Sequence, residues 1–224
     1  MTAQAALKSE LRSQLGPVAR ERGYKGTAPT WRKSSAAGDW AVVNVQSSSS
    51  SNAENLRCVV NIAFAPEPWL RWEAERLGQA MPRAITESLG LYRQRLHPEG
   101  TPESIDGWWE VTDLKSASQA VNDMLVQLDR AGWSELDRMF TRKELIARIR
   151  DGDLGWLTRT QEDVLFARAE ALMLMDAGPS VALEAQLDDA LRNATPAGRA
   201  TAERFNEWVR HEAAQSRPES PTAY

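Results

Sequence analysis

The sequence predicts an α+β fold: an antiparallel sheet of about four strands packed by helices and continued by a helical C-terminal extension. Three observations carry that expectation. Two runs of alternating apolar residues, Trp40-Ala41-Val42-Val43-Asn44-Val45-Gln46 and Cys58-Val59-Val60-Asn61-Ile62-Ala63-Phe64, have the period of two of half-buried strands. Apolar residues at helical spacing flank them on both sides. Beyond residue 140 only helical patterning remains.

Leu7, Leu11, Leu15 and Val18 share one face of a first helix that Gly23 ends. Gly16-Pro17 is expected to kink or split it, because proline lacks the N–H and its ring crowds the carbonyl four residues back. Tyr24 then packs back over the helix end. Trp31 to Ser34 reads as a short strand, and Ala36 to Asp39 as the turn into the strand that starts at Trp40. If Val45 faces Val60 in an antiparallel pair, Val43 faces Ile62 and Ala41 faces Phe64, so one face of the sheet is wholly apolar. The same register sets Asn44 opposite Asn61 on the other face, with Trp40, Val42, Gln46, Val59 and Ala63. Ser47 to Asn55, with five serines, forms the connection.

Pro66 and Pro68 close this segment and open a helix through Trp69, Trp72 and Leu77 to Gly78. Residues 81 to 101 read as irregular or weakly helical. Gly107 to Thr112 has strand composition and supplies the fourth strand, followed by a helix from about Ser116 to Ala131 with Val121, Met124, Leu125 and Leu128 inside. Thr141 with Glu144, and Thr160 with Asp163, have the spacing of helix-starting caps. Gly178-Pro179 separates two helices and Thr195-Pro196 starts another, giving helices over 160–177, 181–193 and 196–214. The expected organisation is an α+β domain over 1–140, a helical extension over 141–215 and a disordered tail over 216–224.

Taken in order, the first helix, Gly23-Tyr24, Trp31-Arg32, Val43-Asn44-Val45-Gln46-Ser47, the strand Val59-Val60-Asn61 and Trp108-Trp109-Glu110 resemble the bacterial family of domains of unknown function numbered 4304, over approximately residues 7–140. The chain has Tyr24 where that family more usually has Phe, and the helical segment beyond residue 155 looks like an extension. The resemblance implies an α+β fold. It implies no catalytic residue, since the family has no established activity.

The net charge of −4 hides an asymmetry: residues 1–65 carry eight Lys/Arg against four Asp/Glu, which leaves the remainder at −8. So mild a positive charge is too small to argue for nucleic acid, whose binding through this amino-terminal part stays a third reading behind a protein and a small ligand. No apolar run approaches the roughly 18 residues that span a bilayer, and the amino terminus lacks a signal-peptide core, so a cytoplasmic protein without membrane association is expected. Cys58 is the only cysteine, which excludes an intramolecular disulfide and a cysteine-based zinc site and points to a buried structural thiol.

The local arrangements of serine hydrolases, P-loop enzymes, dinucleotide-binding proteins and HExxH metalloproteases are all missing. His97 and His211, distant in sequence and each in a polar context, read as solvated surface residues. Asp151-Gly152-Asp153 lacks the closing glutamate of a calcium loop and reads as a turn that ends a helix. Asp113-Leu114-Lys115, with Asp106 or Glu110 as a second ligand, matches the acidic-x-Lys pattern of metal-dependent nucleases, yet Asp113 is equally placed to cap the following helix. No catalytic residue, metal or cofactor is expected.

Most of the nine tryptophans are expected in the core, and the run Leu172-Met173-Leu174-Met175 as a buried helix. Trp31, Arg32, Asn44, Gln46 and Asn61 are the candidate binding residues, because aromatic and arginine side chains beside amides suit recognition. The expected function is a non-enzymatic protein-binding module whose partner is another protein, with a toxin-neutralising, immunity-type role as one form by analogy. The alternative is a small polar ligand-binding domain or enzyme using Asn44, Gln46 and Asn61, with Arg32 or Glu110 supplying charge. A metal-dependent nuclease is the remote one.

Overall fold

The structure, a computed structural model, describes residues 1–102, 105–159 and 164–216. The chain forms two units, one of Met1–Glu67 with Pro82–Thr141, the other of Pro68–Met81 with the helices from Arg142 onward.

In the first unit, α1 (Ala3–Glu10), a π turn (Leu11–Leu15) and α2 (Gly16–Glu21) run on from one another. The π turn absorbs the discontinuity expected at Gly16-Pro17. The Gly16 N–H donates to the Leu11 carbonyl, five residues back, and Pro17, with no N–H to donate, occupies the first turn of α2.

The strands β1 (Lys25–Thr27), β2 (Thr30–Ser34), β3 (Trp40–Ser47), β4 (Leu56–Ala65) and β5 (Tyr92–Leu96) lie side by side in chain order, every pair antiparallel. A sixth, β6 (Trp109–Val111), pairs with the start of β4 on the edge that β5 occupies further along. The central register is the one that the alternation predicts: Val45 opposite Val60, Val43 opposite Ile62, Ala41 opposite Phe64 and Asn44 opposite Asn61. The sheet nevertheless has six strands, not four. β1 is exposed at every position and has no apolar signal. In β5 only Tyr92 and Leu96 are buried, and the three polar residues between them hide a strand in a stretch that reads as irregular.

The helices α4 (Leu114–Gln127), a second π turn (Leu128–Gly132) and α5 (Trp133–Met139) cover one face of the sheet together with α1. Asp113 caps α4: its carboxylate accepts from the Ser116 N–H at 2.7 Å, while the Ser116 hydroxyl accepts from the Asp113 N–H at 2.9 Å. The covered face holds Trp31, Ala41, Val43, Val45, Cys58, Val60, Ile62 and Phe64, none more than 3% exposed. Phe64 meets Phe140 edge to face at 5.0 Å between ring centroids, and Tyr24 meets Trp133 at 5.1 Å. Each of these large side chains contributes about 1.5–3 kcal/mol relative to exposure, which makes this face the main source of the unit's stability.

Part of the opposite face lies under the segment from Ile85 to Leu91. Gly90 approaches so closely that a Cβ there would stand 2.8 Å from the Ala63 Cβ, and Arg32 Nε donates to the Ile85 carbonyl at 2.5 Å. Ala63 and the neighbouring Val42 are fully buried. Val59 and Ala65 of the same face are fully buried too, while Asn44 and Asn61 are half-buried and Gln46 and Arg57 exposed, so the open part of the face lies around these four.

The second unit contains most of α3 (Glu67–Leu77), with α6 (Arg142–Arg150), α7 (Val164–Met175), α8 (Val181–Arg192) and α9 (Arg199–Gln215). Gly78, at φ +62°, follows the end of α3. α7 packs against α6, α8 and α9 and is buried nearly all round, including Leu172, Met173 and Met175. After α6 the chain turns at Asp151-Gly152-Asp153, where Gly152 adopts φ +76° and Arg148 pairs with Asp153 at 3.3 Å. The cap expected from Thr160 and Asp163, and the tail from residue 217 on, lie outside the described residues. No helix among the described residues is long and apolar enough to cross a membrane.

Candidate functional site

The open face of the sheet is built by alternation. β3 presents Asn44 and Gln46, β4 presents Arg57 and Asn61, and β5 presents Arg95 opposite Asn61. Asn61 Nδ2 donates to Gln46 Oε1 at 2.8 Å, Arg95 Nε reaches Asn61 Oδ1 at 3.4 Å, and Arg95 Nη1 donates to both Asp106 oxygens at 2.9 and 2.8 Å. A chain of polar contacts thus runs across three strands from Gln46 to Asp106. Trp108 stands between two cations, its ring 5.5 Å from the guanidinium carbons of both Arg57 and Arg95. Such stacking contributes about 0.5–1 kcal/mol at an exposed site, and it holds both arginines in place.

Around Trp108 the charges pair off. Arg57 lies 3.7 Å from Glu110, and Arg95 is paired with Asp106. The Arg95 guanidinium, by hydrogen bonding, holds the Asp106 carboxyl below the usual carboxylate range, outweighing a small opposing effect of burial. Arg57 and Arg95 are each matched by a carboxylate, so around Trp108 shape and hydrogen bonding dominate over steering.

The five residues singled out in the sequence do not all meet here. Trp31 pairs with Val43 on the helix-covered face and is fully buried, so it is core and no part of an open surface. The alternation decides this: β2 turns Arg32 one way and Trp31 the other. Arg32 shares the face of the amides, but its Nε is bound to the backbone of the covering segment. Asn44 and Asn61 stand opposite each other with separate partners, Asn44 Nδ2 donating to Thr30 Oγ1 at 2.8 Å. Gln46 and Asn61 are the pair that the face brings into direct contact.

The sequence gives Arg57, Arg95 and Trp108 no place on a binding face, and points to Asp106 only as a ligand of the nuclease alternative. For Arg57 the signal was present, since it lies four residues before Asn61 in the same strand and therefore on the same face. Arg95 was lost with β5. His97, expected to be solvated, is half-buried, with Nδ1 3.0 Å from the Gly107 carbonyl and 3.9 Å from Asp106.

At one rim of the sheet, where β2 stops short of the end of β3, a groove of about 430 Å³ is lined by Asn44, Gln46, Ser47, Lys8, Glu87 and apolar residues of α1. The carboxylates of the nuclease alternative are each engaged elsewhere: Asp113 with the first turn of α4, Asp106 with Arg95, Glu110 with Arg57. Among the described residues no three His, Cys, Asp or Glu side chains stand where they could hold a metal ion. Burial pushes the Cys58 thiol up to about 12, which leaves it protonated and inert at neutral pH.

A family model described as a domain of unknown function (DUF4304) matches residues 15–138, more than half of the chain, and the chain belongs to this family. The match takes in the whole sheet and α4 to α5 and stops before α6. No curated protein and no solved structure matches the chain.

Proposed function

We propose that this protein is a non-enzymatic binding module whose partner is another protein, and that the open sheet face around Gln46, Asn61, Arg95 and Trp108 is its recognition surface. The observation that carries the reading is the chain of contacts from Gln46 through Asn61 and Arg95 to Asp106. Polar side chains already held by one another lose less rotamer freedom on binding than free ones. Trp108, clamped between Arg57 and Arg95, adds the residue types that dominate interface energetics. A toxin-neutralising, immunity-type role is the finer form of this proposal, since it needs surface complementarity and no chemistry.

The test is a photo-crosslinking residue placed at position 46 or 57 in the source cell, with a matched position on exposed Asp129 as control. One partner protein crosslinked from 46 and 57, absent from 129 and lost on Trp108→Ala, is the expected result. Crosslinks that survive Trp108→Ala would reject this face.

A second reading has its own observation: the rim groove collects Asn44, Gln46, Lys8 and Glu87 beside apolar walls, the composition of a site for a small zwitterionic or amide-bearing ligand. A ligand whose stabilisation of the protein is abolished by Asn44→Ala and unaffected by Trp108→Ala would favour it over the first.

A further inference from the structure

In the second unit, arginines gather on a row of rings. Trp72 of α3 meets Phe205 of α9 edge to face at 4.9 Å, both rings almost wholly buried. Arg168 of α7 lies 5.5 Å from the Phe205 ring, and Arg204 of α9 lies 5.8 Å from the Trp72 ring. Arg204 also donates to the Arg76 carbonyl at 3.0 Å, which places it at the last turn of α3. Arg76 itself bonds Glu73 through Nε at 3.1 Å and Nη2 at 2.6 Å.

The counter-ions do not match the cations. Elsewhere in this unit arginines face carboxylates, as Arg210 does Glu184, Arg150 does Glu170 and Arg71 does Glu212. Among the described residues neither Arg168 nor Arg204 has a carboxylate within ion-pair distance, and the Arg168 Nε is buried without an acceptor. Burial first, then the Arg76 charge, holds the Arg168 pKa below the ordinary arginine value, and the Glu73 carboxylate offsets this only in part. Stacking occupies the face of a guanidinium and leaves its N–H edge available, and that edge matches the oxygens of a phosphoryl group. Three guanidiniums against the single Glu73 carboxylate leave two positive charges, the complement of a dianion.

We propose that Arg76, Arg168 and Arg204 form a binding site for a dianionic oxyanion, a phosphate or a phosphomonoester. Arg168 and Arg204 lie beyond residues 15–138 and Arg76 within them, and the site, in the second unit, shares no residue with the sheet face proposed above.

The full chain is titrated with inorganic phosphate at constant ionic strength and followed calorimetrically, with acetate as the monoanionic control. Saturable binding with a Kd of about 1 mM or tighter is expected, weakened about tenfold by Arg204→Gln and by Arg168→Gln. Arg210→Gln, which removes a cation already paired with Glu184, should leave it unchanged. If Arg168→Gln fails to fold, the exposed Arg204 carries the test alone. A phosphoserine peptide that binds tighter than inorganic phosphate would assign the site to a phosphorylated protein segment; equal affinity would assign it to free phosphate or small phosphomonoesters. Acetate as effective as phosphate, a response that never saturates, or unchanged binding in Arg204→Gln overturns the proposal.

Discussion

Trp31 and Arg32 are neighbours in β2 and end on opposite faces of one sheet, where their polar groups are treated differently. On the covered face the indole N–H of Trp31 is buried with no acceptor, as are the Trp133 N–H and the Tyr24 hydroxyl. On the open face Asn44, Gln46, Asn61 and Arg95 all have partners. An unmet buried donor costs about 1–3 kcal/mol, which a side chain as large as Trp offsets by the area it buries. The open face has no such area to set against a lost hydrogen bond. Packing therefore dominates one face and hydrogen bonding organises the other, and substitutions should sort by face rather than by position along the strand.

The strongest challenge is Ile62→Asp, which places a carboxylate among Val43, Phe64 and the helices with no partner. A loss of more than about 4 kcal/mol, enough to unfold the sheet unit, is expected. Cys58 reports it: its thiol, fully buried and protonated in the folded protein, should become reactive to alkylation. Native-like protection of Cys58 in this variant would mean that the covered face is not the core. Trp31→Ala comes next, at about 3–5 kcal/mol by denaturant unfolding, the range for emptying a buried aromatic site. A cost below about 1 kcal/mol, the level of an exposed side chain, would move Trp31 to the surface side of the comparison.

How much of this was legible in the sequence follows from the same physics. The β3–β4 register could be read because two strands carry apolar residues at every other position, and any one-residue slip would expose them all. The placement of Trp31 was readable too: it sits one residue from Arg32, and adjacent residues of a strand cannot share a face. β5 was not, since its three central positions are Arg, Gln and Arg and its apolar signal is reduced to two ends. With β5 unseen, Arg95 had no position, and the contact chain that joins Asn61 to Asp106 could not be assembled. The arginine cluster of the helical unit depends on α3, which ends at Leu77, packing with α7 and α9, which begin only at Val164 and Arg199, a juxtaposition that no local pattern encodes.

On the open face the expected costs are small. Asn61→Ala removes one hydrogen bond to Gln46 and a longer contact from Arg95, both at half-exposed positions, so a loss of about 1 kcal/mol or less should appear in denaturant unfolding. A loss as large as that of Trp31→Ala would show that the amides belong to the scaffold, and the contrast between the faces would fail.

The smallest effect sharpens the comparison most, because it depends on pH. The Asp106 carboxyl is held below its ordinary range by Arg95, so its contribution to stability is present above the unfolded carboxylate value of about 3.9 and is lost as pH falls through the lowered folded value. The side chains of Arg95 and Asp106 are 37% and 53% exposed, and solvent screening reduces the pair to about 0.5 kcal/mol or less. Asp106→Asn should therefore lower Tm by about 1–2 °C at neutral pH. The difference between the two proteins should vanish in acid, once the wild-type carboxyl is protonated. Added salt should shrink it at neutral pH, because an exposed pair is screened where a buried one is not. A gap of many degrees that persists in salt would instead mean that the open face is held together as tightly as the covered one, and the case for reading it as a surface prepared for a partner would go with it.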